Sequence, residues 1–324
     1  MRVGIIGCGL IGSKRAEALD GAKLVATSDV VPEKAQALAR KFDHAVAYAD
    51  WHELIAKDDI DAVIVATTND SLAGITLAAI EHGKHVLVEK PAARNASELR
   101  PVVDAATRNH VQVRVGFNHR YHPAVLKARQ LIEDGNVGPL MFIRGRYGHG
   151  GRVGYEKEWR ADPIKAGGGE LLDQGVHLID LARLFLGDFP EVTGFSHTYF
   201  WDMPVEDNGF MLLKTAEEQT AFLHVSCTEW KNLFSFEIYG HHAKLHIEGL
   251  GGSYGLERLA YYQMSPQMGP PDTTIWEYPQ PDHSWRLEFQ EFMDDVSLDR
   301  VPAANLNDAL AALEVVERIY ELSK

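Results

Sequence analysis

Hydrophobic and polar positions change texture along this chain. Over roughly the first 117 residues, short apolar runs alternate with helical patterns. The runs at 3–6, 23–28, 61–66, 85–88 and 111–117 predict strands. The segments 10–19, 32–42, 51–56, 72–82 and the stretch from Ser97 to 109 predict helices. Pro32 suits a first helical position, Asp50 and Ser97 are read as N-caps, and Gly83 as a C-terminal stop. The run Asp61-Ala62-Val63-Ile64-Val65-Ala66 lacks alternation, as expected of a strand buried on both faces. Strand and helix in repeated succession predict a doubly wound parallel sheet covered by helices.

After the helix opened by Pro123 the pattern differs. A long strand is predicted at 138–147, then a Gly- and Arg-rich loop at 148–169 and a helix at about 170–185. Five strands follow at 191–200, 208–214, 219–227, 233–239 and 243–248, consecutive runs that predict a large, open, mostly antiparallel sheet. Gly249 to Gly252 reads as a turn, and 263–283, with five prolines, as an irregular surface excursion. Helices at 284–298 and 306–322 close the chain. The expected division is a Rossmann-like α/β domain at 1–118 and an α+β domain at 119–324, with the C-terminal helix a candidate to pack back on the first domain.

A length of 324 residues suits two domains with ample core, so no metal or disulfide staple is needed. Against 46 Asp and Glu stand 32 Lys and Arg, a net charge of −14 that disfavours nucleic acid and anionic membrane surfaces. Two cysteines, Cys8 and Cys227, make neither a disulfide framework nor a four-cysteine zinc site. With no leader-like segment at Met1 and no apolar run of membrane length, a cytoplasmic protein is expected.

Gly7-Cys8-Gly9-Leu10-Ile11-Gly12 is a G-x-G-x-x-G loop placed between a predicted strand and a predicted helix. Gly7 permits the tight turn, Gly9 the approach of backbone N–H groups to a pyrophosphate, and Gly12 close helix packing. Asp29, twenty residues after Gly9, ends the second strand, where a carboxylate accepts from ribose hydroxyls and repels a 2′-phosphate. NAD is therefore expected over NADP. Cys8 reads as a small filler within the loop.

Glu89-Lys90-Pro91 closes a parallel strand at the edge where ligands bind in such sheets, and Pro91 is a candidate cis proline. With Ala66-Thr67-Thr68-Asn69, Gly116-Phe117-Asn118-His119-Arg120-Tyr121 and the run from Gly167 through Glu170, Asp173 and Gln174 to His177, the chain resembles the glucose–fructose oxidoreductase/inositol dehydrogenase/MocA (Gfo/Idh/MocA) family over nearly its whole length. The resemblance implies hydride transfer between a nicotinamide and a secondary carbinol carbon of a sugar, cyclitol or nucleotide-linked sugar. It implies a reaction centre lined by Lys90, Asp173 and His177, and assembly as a homodimer or homotetramer. Thr67, Thr68, Asn69, Glu89 and Lys90 then join Gly7, Gly9, Leu10, Ile11, Gly12 and Asp29 on the cofactor. One departure is Thr68, where many members have proline; it touches the cofactor wall rather than the reacting groups.

Asp173 and His177, four apart on a predicted helix, share one face. An imidazole can take the hydroxyl proton near neutral pH, with Asp173 orienting it or bonding a neighbouring hydroxyl. Lys90 would stabilise the developing alkoxide or relay the proton, and the reverse assignment of Lys90 and His177 stays open. Asn118, Arg120, Tyr155, Trp159 and Arg160 are further substrate-binding candidates, the arginines for an anionic group and the rings for a sugar face or base. Asp180 is read as an ion-pair partner, His241, His242 and His246 as a solvated turn, and no metal site is expected. His119 and His122 either reach substrate or pack. Two rival functions share the scaffold: an NAD-dependent glycosidase or lyase working by transient oxidation, and a non-catalytic dinucleotide-binding regulator.

Overall fold

A computed structural model describes all 324 residues. In chain order the first elements are β1 (Arg2–Ile6), α1 (Leu10–Glu17), β2 (Lys23–Ser28), α2 (Pro32–Ala39), β3 (Val46–Tyr48), α3 (Trp51–Ile55), β4 (Ala62–Val65), α4 (Asn69–Glu81), β5 (His85–Val88), α5 (Ala96–Asn109) and β6 (Val113–Val115). Next come α6 (Pro123–Glu133), β7 (Leu140–Gly148), α7 (Pro163–Ala166), α8 (Val176–Leu186), β8 (Glu191–His197), β9 (Asn208–Lys214), β10 (Thr220–Ser226) and β11 (Leu233–Gly240). The chain finishes with β12 (Ala243–Glu248), β13 (Glu257–Gln263), β14 (Asp272–Tyr278), α9 (Ser284–Ser297) and α10 (Leu306–Leu322). No helix is long and apolar enough to cross a membrane.

The chain forms two units: Met1–Phe117 with Trp285–Leu310, and Asn118–Ser284 with Ala311–Lys324. In the first, a six-stranded sheet runs β3-β2-β1-β4-β5-β6, all parallel, the doubly wound order that reverses beside β1. The short edge strand β3 extends the predicted set. Helix α5 is capped by Asn95, whose side chain accepts from Glu98 N at 3.0 Å, and not by Ser97. Asn95 takes the cap because its carbonyl sits three residues before that N–H, while the Ser97 hydroxyl donates to Asn95. Helix α4 opens at Asn69, three residues earlier than the pattern suggests, with Thr68 at its N-cap.

The contiguous second domain expected at 119–324 is corrected by the return of Trp285–Leu310 to the first unit. The penultimate helix α9 supplies the packing. Phe289 and Phe292 are buried in the core made by Val3, Ile5, Leu24, Leu38, Ile64 and Leu87. Two buried ion pairs add to it. Arg15 Nη1 meets Glu288 at 2.5 Å, and Arg114 Nε meets Asp295 at 3.0 Å. Ala304 O also accepts from Val115 N at 2.9 Å. Hydrophobic pattern alone shows that α9 is amphipathic, but not which core its apolar face enters.

In the second unit, eight strands run β14-β13-β12-β11-β7-β10-β9-β8. All neighbours are antiparallel except β7 and β10, which pair in parallel from Phe142 and Thr220 to Gly148 and Ser226. Helix α8 packs on β7 and β10, and α6 on β12 to β14. Inward residues such as Ile143, Leu223, Val225, Phe236 and Leu245 are fully buried. The alternate positions Phe142, Leu212, Phe222 and Phe195 stay 39–49% exposed on the other face. The proline-rich excursion is corrected in part: 272–278 is the edge strand β14, paired to β13 with Leu259 opposite Trp276. Its seven residues lie between Pro271 and Pro279, so the prolines flank the ladder and do not interrupt it.

Phe292→Ala should destabilise the first unit by about 3–5 kcal/mol, as deletion of a fully buried ring does. Equilibrium urea unfolding followed by far-UV circular dichroism checks this; a loss below 1 kcal/mol would mean that α9 is not part of that core.

Candidate functional site

The glycine loop of the first unit is built for close backbone approach. Gly7 has φ 92°, and a Cβ there would lie 2.4 Å from Ala66 O. At Gly12 a Cβ would lie 1.9 Å from Gly7 O, so α1 rests directly on the loop. A Cβ at Gly9 meets nothing within 4 Å, which leaves open space at the N-cap of α1. That helix start has no side-chain cap and no acidic residue in its first turn, the electrostatic arrangement an anion requires. Leu10 is exposed there. Asp29 ties the loop: Oδ2 accepts from Cys8 N at 2.7 Å and Oδ1 from Val31 N at 2.8 Å. Each oxygen keeps lone-pair capacity for a ribose hydroxyl. The Cys8 thiol is buried and pushed up to about 12, first by desolvation and then by the Asp29 charge, so it is a packing residue.

Thr67 and Thr68 lead into α4, where Thr68 Oγ1 donates to Asp70 at 2.6 Å and Asn69 is buried. Glu89 is buried and accepts from Arg15 Nε at 2.6 Å. Arg15 is itself fully buried, bridges Glu89 to Glu288 and lies 4.4 Å from the Trp285 ring centroid. Glu89 is thus anchored just after β5; the half-buried Lys90 follows it, and the next bond, Lys90–Pro91, is cis.

In the second unit the predicted helix at 170–185 is two structures. Residues Leu171–Gly175 form a wide π-type turn and α8 begins at Val176. Such turns are rare and concentrate at functional positions. Asp173 sits within the turn and His177 in the first turn of α8, both buried. Asp173 Oδ2 accepts from Arg160 Nε at 2.9 Å, and the Arg160 guanidinium lies 4.6 Å from the Trp159 ring centroid. His177 stacks on His119, with ring centroids 3.8 Å apart and planes at 21°. Tyr147 stands edge-on to His119 at 5.3 Å and to His177 at 6.3 Å.

Glu170, one turn before Asp173, faces His149 Nε2 at 3.5 Å, while His149 Nδ1 accepts from Gly151 N at 2.9 Å. Burial pulls the His149 pKa down, but the Glu170 carboxylate outweighs it, with Asp173 adding, and the net shift is upward. Tyr155 is buried beside His149, ring centroids 5.6 Å apart. One unit therefore gathers His119, Tyr147, His149, Tyr155, Arg160, Glu170, Asp173 and His177. Sequence reasoning missed His149 and Tyr147, because nothing local distinguishes two residues near the end of a strand. It quoted Glu170 without giving it a role.

The other candidates make fixed contacts within this unit. Asn118 Nδ2 donates to Ser284 at 2.9 Å, and its Oδ1 lies 3.3 Å from His119 Nδ1. Arg120 is buried and its Nε donates to Asp180 at 2.8 Å, a structural ion pair that makes Asp180 the partner expected of it. His122 pairs with Glu257 at 3.0 Å, both buried. His246 bonds Ser235 at 2.9 Å.

Glu206, from the β8–β9 connection, accepts from Gly169 N at 3.0 Å, Leu171 N at 3.1 Å and Tyr320 Oη at 2.8 Å. Burial pushes its carboxyl up to about 7 against the pull of Tyr320 and the backbone N–H groups.

A parallel sheet of order 3-2-1-4-5-6 with this glycine loop defines a dinucleotide-binding oxidoreductase fold. Residues 1–117 match the family model described as "Oxidoreductase family, NAD-binding Rossmann fold", and residues 125–246 match "GFO/IDH/MocA C-terminal domain". The chain belongs to the Gfo/Idh/MocA family, and its first unit is an NAD-binding Rossmann domain. It is 33% identical over 238 residues to levoglucosan dehydrogenase of Pseudarthrobacter phenanthrenivorans, a match spanning 66% of this chain and 58% of that protein. Over 334 aligned positions it is 27% identical to inositol 2-dehydrogenase of Rhizobium meliloti, covering 98% and 95% of the two chains. A solved levoglucosan dehydrogenase in complex with NADH and levoglucosan has the same fold, with TM-score 0.90, 24% identity and coverage of 100% of this chain and 97% of that one.

A carboxyl held near 7 in the fold and near 4.3 when unfolded favours the folded state in its protonated form. That contribution is fully present below the unfolded value and is lost as pH rises through the folded one. The Tm difference, wild type minus Glu206→Gln, should fall as pH rises from about 5 to about 8 and then level off. A difference independent of pH in differential scanning calorimetry would show that Glu206 ionises at its ordinary value.

Proposed function

We propose that this protein is an NAD-dependent dehydrogenase that oxidises a secondary hydroxyl of a neutral sugar or cyclitol. The observation that carries the proposal is the buried assembly of Asp173, His177 and Glu170 on one π-type turn and the helix after it, in a chain whose NAD-binding loop is intact. NAD, when bound, supplies the hydride acceptor. His177, its ring plane held by His119, takes the hydroxyl proton. Asp173, oriented by its ion pair with Arg160, accepts from a neighbouring hydroxyl and fixes which carbon is presented. Lys90 contributes an ammonium that stabilises developing alkoxide. The arginines support this substrate class: Arg120 is paired with Asp180 and Arg160 with Asp173, which favours a neutral polyol over a nucleotide-linked sugar. Relatives named for inositol and levoglucosan support this choice.

NADH formation should appear at 340 nm with at least one of myo-inositol, levoglucosan or a free aldose, and not with UDP- or dTDP-sugars alone. His177→Ala and Lys90→Ala should each lower kcat by at least about 100-fold, with the Kd for NAD within about twofold of wild type. Cleavage of a glycoside with no net NADH, or near-normal kcat in either variant, would refute the mechanism. Asp29→Asn keeps an acceptor for Cys8 N and removes the charge, so its NAD-over-NADP preference should drop by about tenfold or more. An unchanged cofactor ratio would place the acid away from the ribose. The exposed sheet face carrying Phe142, Phe195, Leu212 and Phe222 fits a homodimer or homotetramer, which sedimentation equilibrium tests against a monomer.

A further inference from the structure

The turn that carries Asp173 begins in three glycines. A Cβ at Gly168 would lie 2.0 Å from Tyr320 Oη, and a Cβ at Gly169 would lie 2.0 Å from Glu206 O. These glycines admit a side chain and a backbone from two remote parts of the unit. Glu206 meets this turn through both its ends. Oε1 and Oε2 each lie 3.0 Å from Gly169 N, Oε1 accepts from Leu171 N at 3.1 Å, and its carbonyl accepts from Glu170 N at 3.0 Å. Tyr320, on α10, donates to Oε1 at 2.8 Å and fixes the carboxylate's direction. The next residue, Asp207, accepts from the backbone N–H groups of Tyr199, Phe200 and Trp201 at 2.9, 2.7 and 3.1 Å, so the connection that presents Glu206 is itself tied down.

An ordinary helix start is capped by a Ser, Thr, Asp or Asn one to three residues away. Here the cap comes from a carboxylate 35–37 residues along the chain and a hydroxyl 114 residues from that carboxylate. Taking a carboxylate out of water is costly unless donors surround it, and three converge on this one. The segment it holds is a π-type turn, a geometry less favourable than the α-helix that a free helix start would relax toward. Relaxation by one residue would rotate Asp173 relative to His177.

We propose that Glu206 and Tyr320 are positioning residues: together they clamp Gly169–Leu171 so that the π-type turn persists and Asp173 and His177 keep the mutual geometry the reaction needs. This rests on the reading of Asp173 and His177 as catalytic. The clamp touches neither substrate nor cofactor and acts only through the turn.

The deciding measurement is NMR of the full chain labelled with [13Cε1]-histidine, the His177 signal being assigned by its loss in His177→Gln. Tyr320→Phe removes one hydroxyl and keeps the packing, so it will fold. Its His177 signal should move and titrate at a different pH from wild type, while surface His44 is unchanged. Glu206→Ala should shift it further and Glu206→Gln less than Ala, since Gln retains one acceptor oxygen. With NAD and whichever of myo-inositol, levoglucosan or a free aldose the wild type oxidises, kcat should fall about tenfold in Tyr320→Phe and further in Glu206→Ala, with the Kd for NAD unchanged. A His177 signal that overlays wild type in both Tyr320→Phe and Glu206→Ala overturns the clamp. So does a kcat loss that follows NAD affinity. Wild-type turnover in His177→Gln would instead overturn the catalytic reading and the clamp with it; an inactive His177→Gln beside fully active clamp variants removes the clamp alone.

Discussion

Backbone N–H groups at the ends of turns must find acceptors, and in this protein the turns that matter most take theirs from carboxylates remote in sequence. Asp29 accepts from Cys8 N inside the glycine loop. Glu206 accepts from Gly169 and Leu171 at the head of the π-type turn. Glu257 accepts from Ala124 N at the start of α6, where Pro123 leaves no local side-chain cap. Nearer in sequence, Asp207 accepts from the N–H groups of residues 199–201. A local cap adjusts with its own helix, whereas a remote one registers that helix against another part of the unit. The acidic excess of the chain is therefore not only a solvated surface.

Buried guanidinium–carboxylate pairs perform the complementary task. Arg15 holds Glu89 and Glu288, Arg114 holds Asp295, and Arg120 holds Asp180. Replacing one partner would leave an uncompensated buried charge, so each pair constrains which elements can meet. Burial pushes the Glu288 carboxyl upward, with Glu89 opposing its ionisation and Arg15 favouring it, so one cation serves two acids at different cost. The arrangement places Glu89 rigidly before Lys90. It also anchors α9 to a domain from which it is separated by the whole second unit in sequence.

The stacked pair His119–His177 shows how two modest features combine. His119 follows β6 and His177 lies in the first turn of α8, and neither position by itself announces the other as its neighbour. Brought to 3.8 Å with near-parallel planes, they hold one imidazole face against another and leave the ring edges to make polar contacts. Tyr147, itself buried, packs edge-on against both rings.

Much of this protein is written in local pattern. Apolar runs of period two and 3.6, the glycines at 7, 9 and 12, Asp29 just after β2 and the alternation of strand with helix follow from steric and hydrophobic rules that act over a few residues, whereas the strand order 3-2-1-4-5-6 and the edge strand β3 were settled by pairing across the fold. The spacing of four between Asp173 and His177 was legible for the same reason, but the π-type turn at Leu171–Gly175 that carries Asp173 was not. Tertiary structure alone decided where α9 packs, that β14 completes the sheet between flanking prolines, that Arg120 is consumed by Asp180, and that Glu206 and Tyr320 reach Gly169. Each of these is a choice among partners far apart in sequence. Periodicity shows that a helix has an apolar face or that an acid needs a donor, but among 46 acidic side chains only the folded packing selects which one meets which.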